Sequence, residues 1–347
     1  MNKQEILLKI RQYVNDPNIT MEEFDSLMLE TSYMLNEDKN EMLSFIYEAK
    51  GDVCRNKNQW VEIEKNYLEM LKFAKNNFDI NQEQHAYRLG FVSYKIGNFY
   101  RTALRCTQFG PNPIVLSDTQ EKLFMSCEIH YKNAVACTVY LAKQGDLHTL
   151  ELHSTAMNEL SVLYTAVGKY EEALKVARDG VRIDKSIYEK INDKTRCFLY
   201  GNRLNNLATI YLVSKDHKNA METYETSVTI LKQHKNEEPI TYGILLGKNY
   251  LALGNCYSQI KEKESIAITA FQNGLDYMEN VNVKTKNALI YDVITSYMIV
   301  GDYYKRTNKN DQANRYYSWA MNHSKEMLEK TNEKKYEHVI KRLQSLM

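Results

Sequence analysis

Apolar and small residues recur at three- and four-residue steps along most of this chain, the period of helices buried on one side. The stretch from Ala156 to Gly180 shows it best. Leu160, Ser161 and Tyr164 put a large, a small and an aromatic side chain on one face. Gly168 breaks the run, and Tyr170, Ala173, Ala177 and Gly180 resume it. Small residues at a crossing let two antiparallel helices approach to ~8–10 Å between axes, with Leu and Tyr filling the space beside it. The pattern returns as Leu207, Ala208, Tyr211 with Ala220, Tyr224, Ser227, and as Leu253, Gly254, Tyr257 with Ala267, Phe271, Gly274. It closes with Val300, Gly301, Tyr304 and Ala313, Tyr317, Ala320. The first-helix markers at 160, 207, 253 and 300 stand 47, 46 and 47 apart. Helices are therefore predicted to cross at Ser161/Ala173, Ala208/Ala220, Gly254/Ala267 and Gly301/Ala313, with almost no strand anywhere.

The chain before residue 156 follows the pattern less closely. A first helix is predicted over 2–14, and Thr20 with Glu23 forms a capping box that starts a second near Met21. A third runs from about Glu37 through Cys54, with Trp60, Ile63, Tyr67 and Met70 facing back from its partner. Leu89, Gly90 and Ser93 then mark a helix, with Gly97 as the turn and Phe99, Thr102 and Cys106 on the next. Gly110-Pro111-Asn112-Pro113 halts the helical pattern, because proline lacks an amide donor and restricts the residue before it. This seam is expected to be exposed and open to proteolysis. Helices are predicted over Ser117–Lys143 and from Leu147 onward, but 117–155 does not fit the repeat spacing. Four segments result: N-terminal helices and degenerate pairs over 1–109, a seam with irregular helices over 110–155, a regular array over 156–332, and a capping helix over 333–347. In the last, Tyr336, Val339, Ile340, Leu343 and Leu346 form one stripe, as a terminal repeat needs to shield its outer face.

Composition narrows the classes. With 44% hydrophobic and 26% charged residues, the 347-residue chain has the means to build a large core. Four Pro and thirteen Gly leave long helices uninterrupted. The formal net charge of +1 gives no basic surplus for a nucleic acid backbone. No run of 18 apolar residues predicts a membrane span, and the N-terminus reads as an amphipathic helix rather than a secretory signal. The six cysteines form no CxxC and sit beside no His at ligand spacing, as expected of reduced thiols in a cytoplasmic protein. His148 and His153, five apart, fall on different helix faces. His130 beside Cys127 is a lone pair of the kind that usually packs. No phosphate-binding loop, zinc-protease motif or nucleophile elbow is present. No enzyme, cofactor or metal is expected.

The large–small–aromatic, glycine-turn, small–small order of 156–180 and its successors resembles the tetratricopeptide repeat (TPR) superfamily, over about residues 40–325. That resemblance implies an all-α solenoid of antiparallel helix pairs winding into a right-handed superhelix, its groove lined by the first helix of each pair. It also implies a peptide or protein segment as ligand. The period exceeds the 34 residues of a standard repeat, so helices or loops must be longer.

Asparagines stand where that groove is expected. Asn158 and Asn205 lie two residues before the markers Leu160 and Leu207, Asn206 one before, and Asn255 two after Leu253; Asn202, Lys248 and Asn249 lie one turn back. An asparagine side chain carries both donor and acceptor and can bond a peptide backbone whatever its sequence. Asn158, Asn202, Asn205, Asn206, Lys248 and Asn255 are the candidate peptide-binding residues. The competing reading is that an Asn- and Lys-rich chain scatters asparagine everywhere.

The long repeats and groove asparagines are similar to those of the Rap and PlcR-type regulators, Gram-positive proteins that bind short signalling peptides in such a superhelix and switch an output domain. Residues 1–40 show no recognisable DNA-binding helix-turn-helix and no match to the Rap three-helix bundle. TPR domains that clamp a C-terminal carboxylate place Lys and Asn four apart on a first helix. Here those slots hold Asn158 with Val162, Asn205 with Thr209, and Leu251 with Asn255, without the basic member. The leading expectation is a non-enzymatic peptide- or protein-binding module. A peptide-responsive regulator and a structural assembly subunit, the latter as a homo-oligomer, are the alternatives.

Overall fold

The computed structural model describes residues 2–79, 82–104 and 113–347. Every regular element among them is helical, no strand occurs, and no helix is long and apolar enough to cross a membrane. The chain divides into two compact units, Met1–Ile183 and Asp184–Met347.

Unit 1 opens with α1 (Lys3–Asn15), α2 (Met21–Thr31) and α3 (Asn36–Asn56). These share one core, in which Ile6 and Ile10 meet Phe24, Leu27, Met42 and Ile46. Residues 3–56 thus form a three-helix cluster that the sequence pattern alone did not reveal. The capping box at Thr20 forms: Glu23 accepts from the Thr20 amide at 2.9 Å, and the Glu23 amide donates back at 3.4 Å. Next come α4 (Trp60–Asn76), α5 (Glu83–Leu104), α6 (Asp118–Gln144), α7 (Leu147–Ala166) and the start of α8 (Tyr170–Ile191). α3 pairs with α4, and α5 with α6.

Two expectations change here. Gly97 is not a turn; α5 runs through it unbroken, and its partner is not a helix over Phe99–Cys106 but the long helix expected over 117–143, here α6. Gly97 is small because Tyr131 of α6 lies against it: a β-carbon there would stand 2.7 Å from the ring. Gly110, Pro111 and Asn112 of the expected seam lie outside the described residues, as does Cys106. Pro113 is exposed, and the Ile114 amide donates to the Ala166 carbonyl at 2.8 Å, fastening this strand of chain to the end of α7.

Unit 2 contains the last turns of α8, then α9 (Lys194–Val213), α10 (His217–Leu231), α11 (Pro239–Tyr257), α12 (Glu264–Lys284), α13 (Ile290–Arg306), α14 (Asn310–Thr331) and α15 (Lys334–Leu346). Each odd helix from α9 to α13 packs on the even helix that follows it. The predicted small residues Ala208, Ala220, Ala267 and Ala313 are fully buried. α15 lays Tyr336, Val339 and Leu343 into the core of the last pair.

A recurring side-chain arrangement fixes these crossings. The ring of Tyr317 fills the space beside Gly301, and its hydroxyl donates to Asp302 Oδ1 at 2.7 Å. Tyr67 lies on Gly51 and donates to Asp52 at 2.6 Å; Tyr131 lies on Gly97 and donates to Asn98 at 2.7 Å. Ala208 and Thr209 take the glycine and acceptor places opposite Tyr224, whose hydroxyl is 2.8 Å from Thr209 Oγ1. Apolar burial drives each contact, and the hydrogen bond satisfies a phenol that would otherwise be stranded. At Gly254 the ring is Phe271, which has no hydroxyl to offer the neighbouring Asn255.

Candidate functional site

In unit 2 the first helices α9, α11 and α13 lie side by side, α11 touching both neighbours. Each buries one side against its partner helix and leaves a second side without one. On α9 the half-buried Phe198, Asn202, Asn205, Thr209 and Leu212 follow one another at steps of three and four that define one face, with Asn206 half-buried beside Asn205. On α11 the corresponding stripe carries Lys248, Ala252 and Asn255, and on α13 Thr295, Ile299, Asp302 and Arg306. These stripes adjoin. Lys248 Nζ is 3.6 Å from Asp292 Oδ1, and Arg306 donates to Asn255 Oδ1 at 3.2 Å. Leu212 and Asn255 line one cavity of about 560 Å³.

Five of the six candidate residues therefore share this face. The Asn202 side chain makes no hydrogen bond among the described residues, and the Asn205 side chain makes only a 3.5 Å contact from Nδ2 to Asn206 Oδ1. Half-buried carboxamides that hold donors and acceptors in reserve are what an extended backbone requires. Asn158 belongs to α7 in unit 1. It is 7% exposed, with Nδ2 3.3 Å from Glu159 Oε1. Asn249 departs from its expected place on the groove. It is fully buried and donates to Ser227 Oγ at 2.7 Å, and Ser227 donates in turn to the Gly201 carbonyl at 2.7 Å. That chain ties α11 and α10 to α9, so Asn249 is a structural brace.

Unit 1 has a concavity of its own, about 920 Å³, walled by Leu7 and Ile10 of α1, Phe45 of α3, and Tyr87 and Phe91 of α5. Its floor is a charge network. The Arg88 guanidinium sits 4.0 Å over the Phe45 ring and donates to Glu48 at 2.6 Å; Lys95 bridges Glu48 and Asp52. Burial alone pushes the Glu48 carboxyl up, but Arg88 and Lys95 outweigh it and hold the group below the ordinary carboxylate range. These charges are spent on one another, so an arriving group meets mainly aliphatic and aromatic surface. Sequence reasoning missed this concavity. Its signal was the pairing of Glu48 and Asp52, four apart on α3, with Arg88 and Lys95, seven apart on α5.

No group of three or more metal-ligating side chains occurs among the described residues. His153 is buried with Nδ1 2.8 Å from Thr138 Oγ1, and His130 stacks on Tyr100 at 5.9 Å between centroids. Cys54, Cys197 and Cys256 are buried and free, and burial pushes the Cys256 thiol up to about 12. That is far from the lowered value a nucleophilic thiol needs.

Paired helices with small residues at the crossings and a polar first-helix face define an all-α helical-repeat fold like that of tetratricopeptide proteins. Residues 202–234, the later part of α9 and all of α10, match the tetratricopeptide repeat model. No curated protein sequence matches the chain. Among solved structures, the apo form of RapI shares the fold at 11% identity and TM-score 0.54, covering 95% of this chain and 100% of its own. Aspartyl phosphate phosphatase F from Bacillus subtilis matches at 10% identity and TM-score 0.49, over 86% of this chain and 74% of that one. NprR in complex with its cognate peptide NprX matches at 16% identity and TM-score 0.41, over 99% and 87%. The likeness is one of fold, and of these three RapI alone scores above 0.5.

Proposed function

We propose that this protein is a non-enzymatic regulator that binds a peptide, or an extended segment of another protein, on the first-helix face of unit 2. The observation that carries this reading is the α9 stripe, where Asn202, Asn205 and Asn206 stand half-buried on one face and the side chains of Asn202 and Asn205 keep most of their hydrogen-bonding capacity unspent. Asparagine is a mediocre helix former, so three within five residues of a helix interior are costly unless a ligand uses them. Asn255 and Lys248 extend the same polar path across α11. Binding there would stiffen three neighbouring repeats together, the kind of change by which a solenoid alters its hold on a second protein.

A photo-crosslinking residue at position 202 tests the reading in extract of the native cell. Position 222, exposed on the outer helix α10, is the control. A peptide or protein segment identified by mass spectrometry from position 202 and absent from 222 is the expected result. Equal labelling from both positions contradicts it.

A further inference from the structure

The exception at Phe271 has a chemical consequence, which rests on the reading of the α9–α11–α13 face as a ligand groove. In four helix pairs a tyrosine hydroxyl occupies the polar side chain that follows the crossing residue: Asp52, Asn98, Thr209 and Asp302. In the fifth, Phe271 leaves Asn255 without that donor. Asn255 Oδ1 accepts from Arg306 across the groove instead, at 3.2 Å, and its Nδ2 keeps no partner among the described residues.

The 560 Å³ cavity around Asn255 is unbalanced in charge. Its one carboxylate, Asp302, already accepts from Tyr317 through Oδ1 and from Arg342 through Oδ2, at 2.7 and 3.3 Å. Arg306 and Lys305 also line the cavity, and neither has a carboxylate partner among the described residues. A guanidinium held by a neutral amide keeps its charge, and with a free amide N–H₂ beside it the cavity presents two cationic side chains and an amide donor against one carboxylate that is already engaged, the neutral Gln259 leaving that balance unchanged. An ionised carboxylate supplies that acceptor, and Arg with an amide donor matches its planar geometry. Ile299 and Leu346 on the walls exclude part of the competing water. We propose that this cavity is an anion socket that takes a carboxylate of the bound peptide and sets its position along the groove.

The carboxylate has two sources, a chain end or an Asp/Glu side chain, and three immobilised pools of short N-acetylated peptides separate them. All are built from neutral residues. One ends in an amide, one in a free carboxylate, and one in an amide with a single fixed internal aspartate. One or both carboxylate pools should bind about ten- to a hundredfold more tightly than the neutral pool, and the gap should shrink in high salt. Whichever pool gains identifies the source. The Lys305→Gln/Arg306→Gln variant changes two exposed side chains; it should keep the native melting temperature and bind all three pools alike. Equal binding of the three pools by the native protein overturns the socket and leaves the groove standing. A preference that survives in the double variant places the carboxylate elsewhere and also overturns it. Retention of no pool contradicts the groove reading and the socket together.

Discussion

Gly301 and the ring of Tyr317 occupy adjoining space so closely that a β-carbon at 301 would stand 2.5 Å from Tyr317 Cε1. Contact of that kind sets how near α13 and α14 approach. Gly301→Leu should therefore lower stability by ~1–3 kcal/mol, the usual cost of overpacking a tight crossing. Thermal melts of the two proteins check it. An unchanged melting temperature would mean that the crossing does not fix the pair.

Phe271→Tyr converts the exceptional crossing to the form of its neighbours. The added hydroxyl should reach Asn255 as that of Tyr317 reaches Asp302, drawing the carboxamide away from Arg306. Stability should change little or rise by ~0.5–1.5 kcal/mol for the new hydrogen bond. Preference for carboxylate-bearing peptides should fall. The side-chain amide resonances of Asn255 report the switch directly, and unchanged shifts would count against it.

Asp184 and Arg203 form a buried ion pair in unit 2, Nε to Oδ2 at 3.1 Å, with both side chains under a tenth exposed. Removing one partner leaves a buried charge without its counter-charge. Asp184→Ala should cost ~3–5 kcal/mol in chemical denaturation. A loss near zero would show that water or another group compensates Arg203.

Burial, and then the charge of Lys75, bring the His130 pKa from its ordinary 6.5 down to about 4. As pH falls through 6.5 the unfolded chain binds a proton that the folded chain refuses until about 4. Stability should therefore decline on acidification across that window and level off below it. His153, also lowered by burial, adds to the same slope. Denaturation midpoints measured from pH 7 to 4 should fall less steeply for His130→Phe than for the native protein. Parallel slopes would contradict the assignment.

Much of the fold could be read from spacing alone, because a crossing residue and its aromatic partner recur at nearly fixed separation. Gly51 to Tyr67, Ala208 to Tyr224 and Gly301 to Tyr317 are each 16 residues apart, and Gly254 to Phe271 is 17. Gly97 to Tyr131 is 34, because a long connection separates α5 from α6, and that insertion hid the pair. A glycine that admits a ring and a glycine that turns the chain are the same letter. Gly97 proved to be the first kind, whereas Gly168, at φ +80, is the second. The site was legible in part. Asn202, Asn205 and Asn206 follow the helical phase of the open face, but Lys248 and Asn249 are one residue, or ~100°, apart on α11. One is exposed and the other sealed against Ser227. Phase sharp enough to separate them requires the position of α10, which no local pattern supplies.

The claim that the α9 face binds a peptide backbone is tested most directly by a binding isotherm for the peptide that crosslinks at position 202. The native protein and Asn205→Ala/Asn206→Ala should be titrated side by side, with thermal melts of both. Two hydrogen bonds at ~0.5–1.5 kcal/mol each predict an affinity about ten- to a hundredfold weaker in the variant. Its melt should be unchanged or slightly higher, since Ala is the better helix former. Equal affinities with intact folding would contradict the account.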